Sequence, residues 1–106
     1  MAICEKSFED ELQLVQDAHN NERGEGLLRN YLLPLVQSVA NKYAEKEAQN
    51  QELISEGFNH LTFGIRKYLE HLEQIQVEEK KFYKFSTYFT WFIRQDIVAY
   101  LQKTGI

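Results

Sequence analysis

Phe82-Tyr83-Lys84-Phe85-Ser86-Thr87-Tyr88-Phe89-Thr90-Trp91-Phe92 carries seven of the fourteen aromatic residues of this 106-residue chain. A core of this size does not need so many rings in one short run. Lys80, Lys81, Lys84 and Arg94 surround them, and rings interleaved with cations can stack unpaired bases while holding their phosphates. The run continues through Ile93-Arg94-Gln95-Asp96-Ile97 with a helical period. Phe89, Ile93, Ile97 and then Tyr100 or Leu101 recur every three or four residues, which predicts an inward face. Tyr88, Trp91, Gln95, Val98 and Gln102 line a neighbouring face that mixes rings, amides and a small apolar side chain. Trp91 and Tyr88 on that face are large apolar surfaces that need a partner. On composition alone, burial beneath the segment Leu69 to Phe82 and stacking against a ligand are equally open. Ser86 or Thr87 is the expected cap of this last helix, which runs to about Gln102.

Working outward, Ser7 followed by Asp10 reads as a capping box that opens a first helix through Phe8, Glu11, Leu12, Val15 and Ala18. His19-Asn20-Asn21 and the pair Gly24 and Gly26 are expected to break it. A second helical stretch starts near Leu27, and Pro34 interrupts it as a kink or as the first turn of a new helix. Val36, Val39, Ala40 and Tyr43 then form a stripe at helical spacing. Ala44 to Asn50 is polar and is expected to contain a turn. The third helix is expected from Gln51 to Leu69, because Ile54, Phe58, Leu61, Ile65 and Tyr68 step by four, three, four and three along one face. That face is expected to meet Val36, Val39 and the Phe89, Ile93, Ile97 stripe. Leu69 to Phe82 begins acidic and ends basic, with Leu72, Ile75 and Val77 as anchors for partial order. No strand pattern survives, so the fold class is all-α: one compact domain over residues 1–106, of about four to five helices.

The formal charge of −4 is unevenly spread. Residues 1–79 hold seven Lys or Arg and fifteen Asp or Glu, whereas residues 80–106 hold five Lys or Arg and only Asp96. A polyanion responds to the local field, since charges beyond about 10 Å are screened at ordinary salt. The single cysteine, Cys4, cannot form an intramolecular disulfide. With no hydrophobic run of membrane-spanning length and no signal-peptide pattern, the chain reads as a soluble cytoplasmic protein. His19, His60 and His71 lack metal-ligand spacing. No phosphate-binding glycine loop or acid–base couple stands out either. No catalytic residue, metal or cofactor is expected, and the chain does not read as an enzyme.

Tyr83-Lys84-Phe85-Ser86-Thr87-Tyr88, followed by Thr90-Trp91 and Ile93-Arg94-Gln95, closely resembles the promoter-melting segment of the sigma-70 family of bacterial sigma factors. The resemblance extends upstream. Leu35 to Tyr43 is similar to the family helix ending in Ala-Lys-Lys-Tyr. Glu52-Leu53-Ile54-Ser55-Glu56-Gly57 is similar to its polymerase-binding helix, and Leu12 to Leu33 is more weakly similar to the preceding helical pair. The resemblance implies a region 2 helical domain, stand-alone or truncated, that binds the clamp helices of core RNA polymerase and opens promoter DNA at the −10 element.

Carried over by position, the resemblance implies the following roles. Trp91 is a wedge ring at the edge of the melted duplex, with Phe92 in place of a frequent second Trp. Tyr83, Phe85 and Tyr88 surround a flipped adenine, and Ser86 and Thr87 lie beside the single strand. Gln95 reads the upstream edge, while Lys84 and Arg94 touch the phosphate backbone. Glu52, Ser55, Glu56 and Asn59 fall on the polymerase-binding helix and the residues that follow it. Ser55, Phe58, Thr62, Asp96 and Val98 depart from common family residues, and the fourteen residues Leu69 to Phe82 replace a short basic segment. A different class of function stays open: a protein-interaction module of the same fold that does not melt DNA. It would act as a regulator or decoy towards RNA polymerase or an anti-sigma protein.

Overall fold

The computed structural model describes residues 3–44, 47–77 and 82–104. Five helices account for most of them, and no strand occurs among the described residues: α1 (Phe8–Asn20), α2 (Glu22–Tyr43), α3 (Glu47–Gly57), α4 (Leu61–Val77) and α5 (Phe85–Thr104). The all-α expectation holds. Lys80 and Lys81 lie outside the described residues.

Helix α1 starts where the sequence places it. Ser7 is the cap, and its Oγ accepts the Asp10 N–H at 3.1 Å. Glu9, Asp10 and Glu11 crowd the first turn, where carboxylates oppose the positive end of the helix dipole. The break that follows is much shorter than expected. Asn21 alone ends α1 and begins α2: its N–H donates to the Asp17 carbonyl (3.1 Å) while its Oδ1 accepts the Gly24 N–H (2.7 Å).

Gly24 and Gly26 therefore sit inside α2, and the expected start near Leu27 is corrected to Glu22. Gly24 has a packing function. A Cβ at this position would stand 2.3 Å from the Asp17 carbonyl oxygen and 2.4 Å from its carbon, so only glycine lets α2 approach the end of α1 so closely. Pro34 is exposed and lies within α2, which continues to Tyr43. It neither ends the helix nor begins a new one, because the donor that proline lacks falls on the solvent side.

The expected long third helix is two helices. Between Gly57 and Leu61 the hydrogen bonding tightens to three-residue spacing, with Phe58 N–H donating to Ser55 (3.2 Å), Asn59 to Glu56 (3.1 Å) and Leu61 to Phe58 (3.1 Å). Gly57 permits the turn to press into the core, since a Cβ there would meet Val36 Cγ1 at 2.7 Å. The interruption rotates the buried face of α3. Leu53 is fully buried, whereas Ile54 and Phe58 are half-buried, and the Arg29 guanidinium lies 5.2 Å from the centre of the Phe58 ring.

The core joins Val15 and Ala18 of α1, Leu28, Leu32, Val36, Val39 and Ala40 of α2, and Leu53 of α3 to the buried faces of α4 and α5. On α4 these are Leu61, Ile65, Tyr68 and Leu72. On α5 they are Phe85, Phe89, Ile93 and Ile97, and the last three are the inward stripe anticipated from the sequence. Completely burying each such side chain contributes about 1.5–3 kcal/mol before chain entropy is charged against it.

Candidate nucleic-acid interface

The aromatic run divides into a buried half and an exposed half, and α4 does the dividing. Tyr68 of α4 is buried beneath the run. Its ring packs edge-on to Phe85 (5.1 Å between centres), stacks on Phe82 (5.6 Å) and tilts against Tyr88 (5.2 Å). Its hydroxyl donates to the Tyr83 carbonyl at 2.7 Å, which pins the backbone just ahead of α5. Burial raises the Tyr68 hydroxyl pKa well above the ordinary tyrosine value, so it remains a donor. Phe85 also stacks on Phe89, 5.5 Å between centres and 11° from parallel.

Phe85 and Ser86 consequently stand away from any surface, at 1% and 7% exposure. The resemblance placed them beside a flipped base and a single strand. In this fold they belong to the support of the site. Tyr83, Thr87, Tyr88, Trp91 and Phe92 do come together, around an open depression of about 380 Å³. Tyr83 and Trp91 are 66% and 63% exposed, which for rings of that size leaves most of both faces in water. Tyr88 and Phe92 are half-buried, tilted against each other at 5.5 Å, and form the floor. Arg94 and Gln95 are exposed one turn beyond Trp91 on the same side of α5.

Glu11 is the residue that sequence reasoning passed over. It lies in the first turn of α1 and is 1% exposed, yet it organises the start of α5. Its Oε1 accepts the Ser86 N–H (2.9 Å), and its Oε2 accepts the Ser86 hydroxyl (2.7 Å) and the Tyr31 hydroxyl (2.6 Å). The Lys84 ammonium approaches Oε2 at 3.5 Å and donates to the Cys4 carbonyl at 2.9 Å. A carboxylate from another helix thus caps α5, whose first residue is Phe85; the expected local cap at Ser86 or Thr87 is not formed. The same contacts turn Lys84 inward. Burial, with the Glu11 hydrogen bond second, raises the Tyr31 hydroxyl pKa far above its usual value. The Cys4 thiol pKa is raised, mainly by burial and then by the Glu11 charge.

The second expected surface lies on α3, which packs on the far side of α5. Tyr100 lies nine positions beyond Trp91, and at about 100° per residue this places it on the opposite side of α5. There α3 packs, and Tyr100 donates its hydroxyl to Glu52 at 2.6 Å. Glu52, Ser55 and Asn59 are exposed and Glu56 is half-buried, with the Asn59 amide donating to the Glu56 carboxylate. The four residues therefore form one edge, along α3 and the turn after it.

Sequence comparison finds relatives among RNA polymerase sigma factors. Over 65 residues, 61% of this chain, it is 42% identical to the RNA polymerase sigma factor SigA of Nostoc sp.. Identity and coverage are the same for the RNA polymerase sigma factors SigA1 of Synechococcus elongatus and SigA of Microcystis aeruginosa. The chain carries a sigma-70-family region. It spans about 14% of the length of these relatives. No family model and no solved structure matches it. Among the described residues no helix of this sigma-type region is long and apolar enough to cross a membrane.

Proposed function

We propose that this sigma-type domain binds core RNA polymerase through α3 and holds single-stranded, A·T-rich promoter DNA against the depression at Trp91. The observation that supports it best is the pair of exposed rings, Tyr83 and Trp91, standing over the floor of Tyr88 and Phe92. A ring left in water offers a stacking face to any base, worth about 1–3 kcal/mol each. Extruding a base from a duplex costs a few kcal/mol, so two or three stacks suffice to hold a short bubble open once polymerase supplies the remaining contacts. Thr87 provides an exposed hydroxyl at the rim, and Arg94 and Gln95 extend the surface towards the upstream duplex. Phe85, Ser86 and Lys84 contribute by fixing where the rings stand.

Trp91→Ala is expected to weaken binding of a labelled A·T-rich single strand by roughly 1–3 kcal/mol, and Tyr88→Ala by a similar amount. With Lys84 turned inward, few cations among the described residues face the strand, so the salt slope is expected to be shallow, on the order of two to four phosphates. Fluorescence anisotropy across a salt series measures both. An affinity for the oligonucleotide that is unchanged in Trp91→Ala contradicts the stacking role.

For the polymerase-facing edge, reversing Glu52 and Glu56 together to Lys is expected to reduce capture of the domain by core polymerase. Each exposed ion pair is worth about 1 kcal/mol or less, so the double change is the informative one. Capture at wild-type level would remove this edge from the account. The inward Lys84 favours one alternative: a domain that occupies polymerase without melting DNA. It predicts polymerase capture together with no response of Trp91 to a single strand.

A further inference from the structure

His71 of α4 lies three positions beyond Tyr68, so the two side chains are neighbours on the helix surface. They touch the same two rings. Tyr68 is buried against Phe82 and Tyr88, whereas His71 is exposed and meets both edge-on, 6.0 Å from each ring centre and at 84° and 90°. Phe82 in turn lies 5.7 Å from Tyr83, the exposed rim ring, and Tyr88 is part of the floor of the depression. Two ring contacts thus hold the imidazole at the margin of the aromatic site, one ring away from Tyr83. Its nitrogens make no hydrogen bond among the described residues. The nearby lysines are already engaged: Lys84 with Glu11 and the Cys4 carbonyl, and Lys67 with Glu70 at 3.6 Å. From the α5 side the titratable groups near His71 are the hydroxyls of Tyr83 and Tyr88. Burial, followed by the Glu70 charge, raises the Tyr88 pKa, so this phenol brings no negative charge to the site. On the flank of α4 towards α1, His19, Arg66, Glu70 and Glu73 line a separate groove.

We infer that His71, when protonated, pairs with a phosphate of the single strand whose bases stack on Tyr83 and Trp91, and so makes strand binding pH-dependent. This anchor depends on the stacking role proposed above and adds a backbone contact to it. Histidine is the side chain whose charge ordinarily changes between pH 5 and 8. An imidazolium has two donors, and a hydrogen bond from a charged donor to a phosphate oxygen is about twice as strong as a neutral one. The contact is present at acid pH, where the ring is charged. It is lost as pH rises and the ring becomes neutral. Because the two aromatic contacts already fix where the imidazole stands, little side-chain freedom is lost when the phosphate arrives.

The test measures binding of a labelled A·T-rich single strand to the whole domain across a salt series, at about pH 5.5 and about pH 8. Wild type is compared with His71→Gln, which cannot charge, and His71→Lys, which is charged at both values. For wild type the slope of log affinity against log salt is expected to be steeper by about 0.7 at the lower pH, one phosphate's worth for a single strand. Affinity at moderate salt should rise with it, by up to about fivefold. His71→Gln is expected to show the shallow slope at both pH values, and His71→Lys the steep one at both. A wild-type slope that does not change with pH overturns the anchor and leaves the stacking site in place. A pH-dependent slope that persists in His71→Gln also overturns it, because the proton then belongs to another group. Failure of the wild-type domain to bind the strand at either pH overturns both the anchor and the stacking role.

Discussion

Glu11→Ala is expected to destabilise the domain by about 3–5 kcal/mol, the usual cost of removing one partner from a buried, hydrogen-bonded charge cluster. The substitution leaves the Ser86 N–H, the Ser86 hydroxyl and the Tyr31 hydroxyl without their acceptor and takes the carboxylate partner from Lys84. A domain of this size is marginal, with total stability of about 5–15 kcal/mol, so the loss is a large fraction of the whole. In a thermal melt it corresponds to a fall of roughly 15 °C or more. Any protein that remains folded is expected to bind single strands poorly as well, since α5 loses its cap and Tyr83 to Ser86 lose their anchor. A fall of less than about 5 °C would mean that the carboxylate is a passenger in the core and does not hold α5 in place.

Gly24→Ala carries the second large effect, and Gly26→Ala is its control. Both positions lie inside α2, where alanine is the better helix former by about 0.8–1 kcal/mol. At Gly26 nothing lies within 4 Å of an added Cβ, so that variant is expected to gain stability. At Gly24 the methyl would overlap backbone atoms of Asp17, and backbone cannot swing aside like the end of a side chain. Moving α1 off α2 also disturbs Glu11, so a loss of about 3 kcal/mol is expected, at the upper end of ordinary overpacking costs. Urea denaturation of the two variants should therefore give opposite signs. Equal and small changes would show that the α1–α2 approach is looser than the close contact implies.

These two residues also mark where sequence reading succeeds and where it stops. Features set by neighbours along the chain were legible: the Ser7 cap and the inward stripe Phe89, Ile93, Ile97. Those set by distant partners were not. Gly24 reads locally as a helix breaker, and only its proximity to Asp17 shows why it stands inside a helix. Glu11 reads as one more surface carboxylate in an acidic first turn, and nothing local says that it caps a helix beginning 74 positions later at Phe85. The division of α3 from α4 escaped for a different reason. Its tight turn keeps the apolar residues at three and four spacings, so Phe58 and Leu61 continue the pattern while the backbone does not. The motif-level resemblance pointed to the aromatic run, but it could not tell which rings are floor, rim or foundation.

That distinction shapes the functional account. The foundation, Tyr68, Phe85 and the Glu11 cluster, fixes the backbone from Tyr83 to Ser86 against α1 and α4. The rim, Tyr83 and Trp91, is left in water at an energetic cost that a base would offset by stacking. Because α5 contacts α3 on its far side, the proposed polymerase docking and the proposed strand binding would share one helix. On the proposed function, strand affinity is expected to rise when polymerase is bound, as bound polymerase would add phosphate contacts to the few cations that the described residues offer.

The most direct measurement is the emission of Trp91, the only tryptophan, while an A·T-rich single strand is titrated into the domain with and without core polymerase. Polymerase tryptophans are silenced by comparing wild type with Trp91→Phe and taking the difference signal. The account predicts saturable quenching of that difference signal, at lower strand concentration when polymerase is present. An unchanged signal in both titrations would contradict it and leave the aromatic run as packing alone.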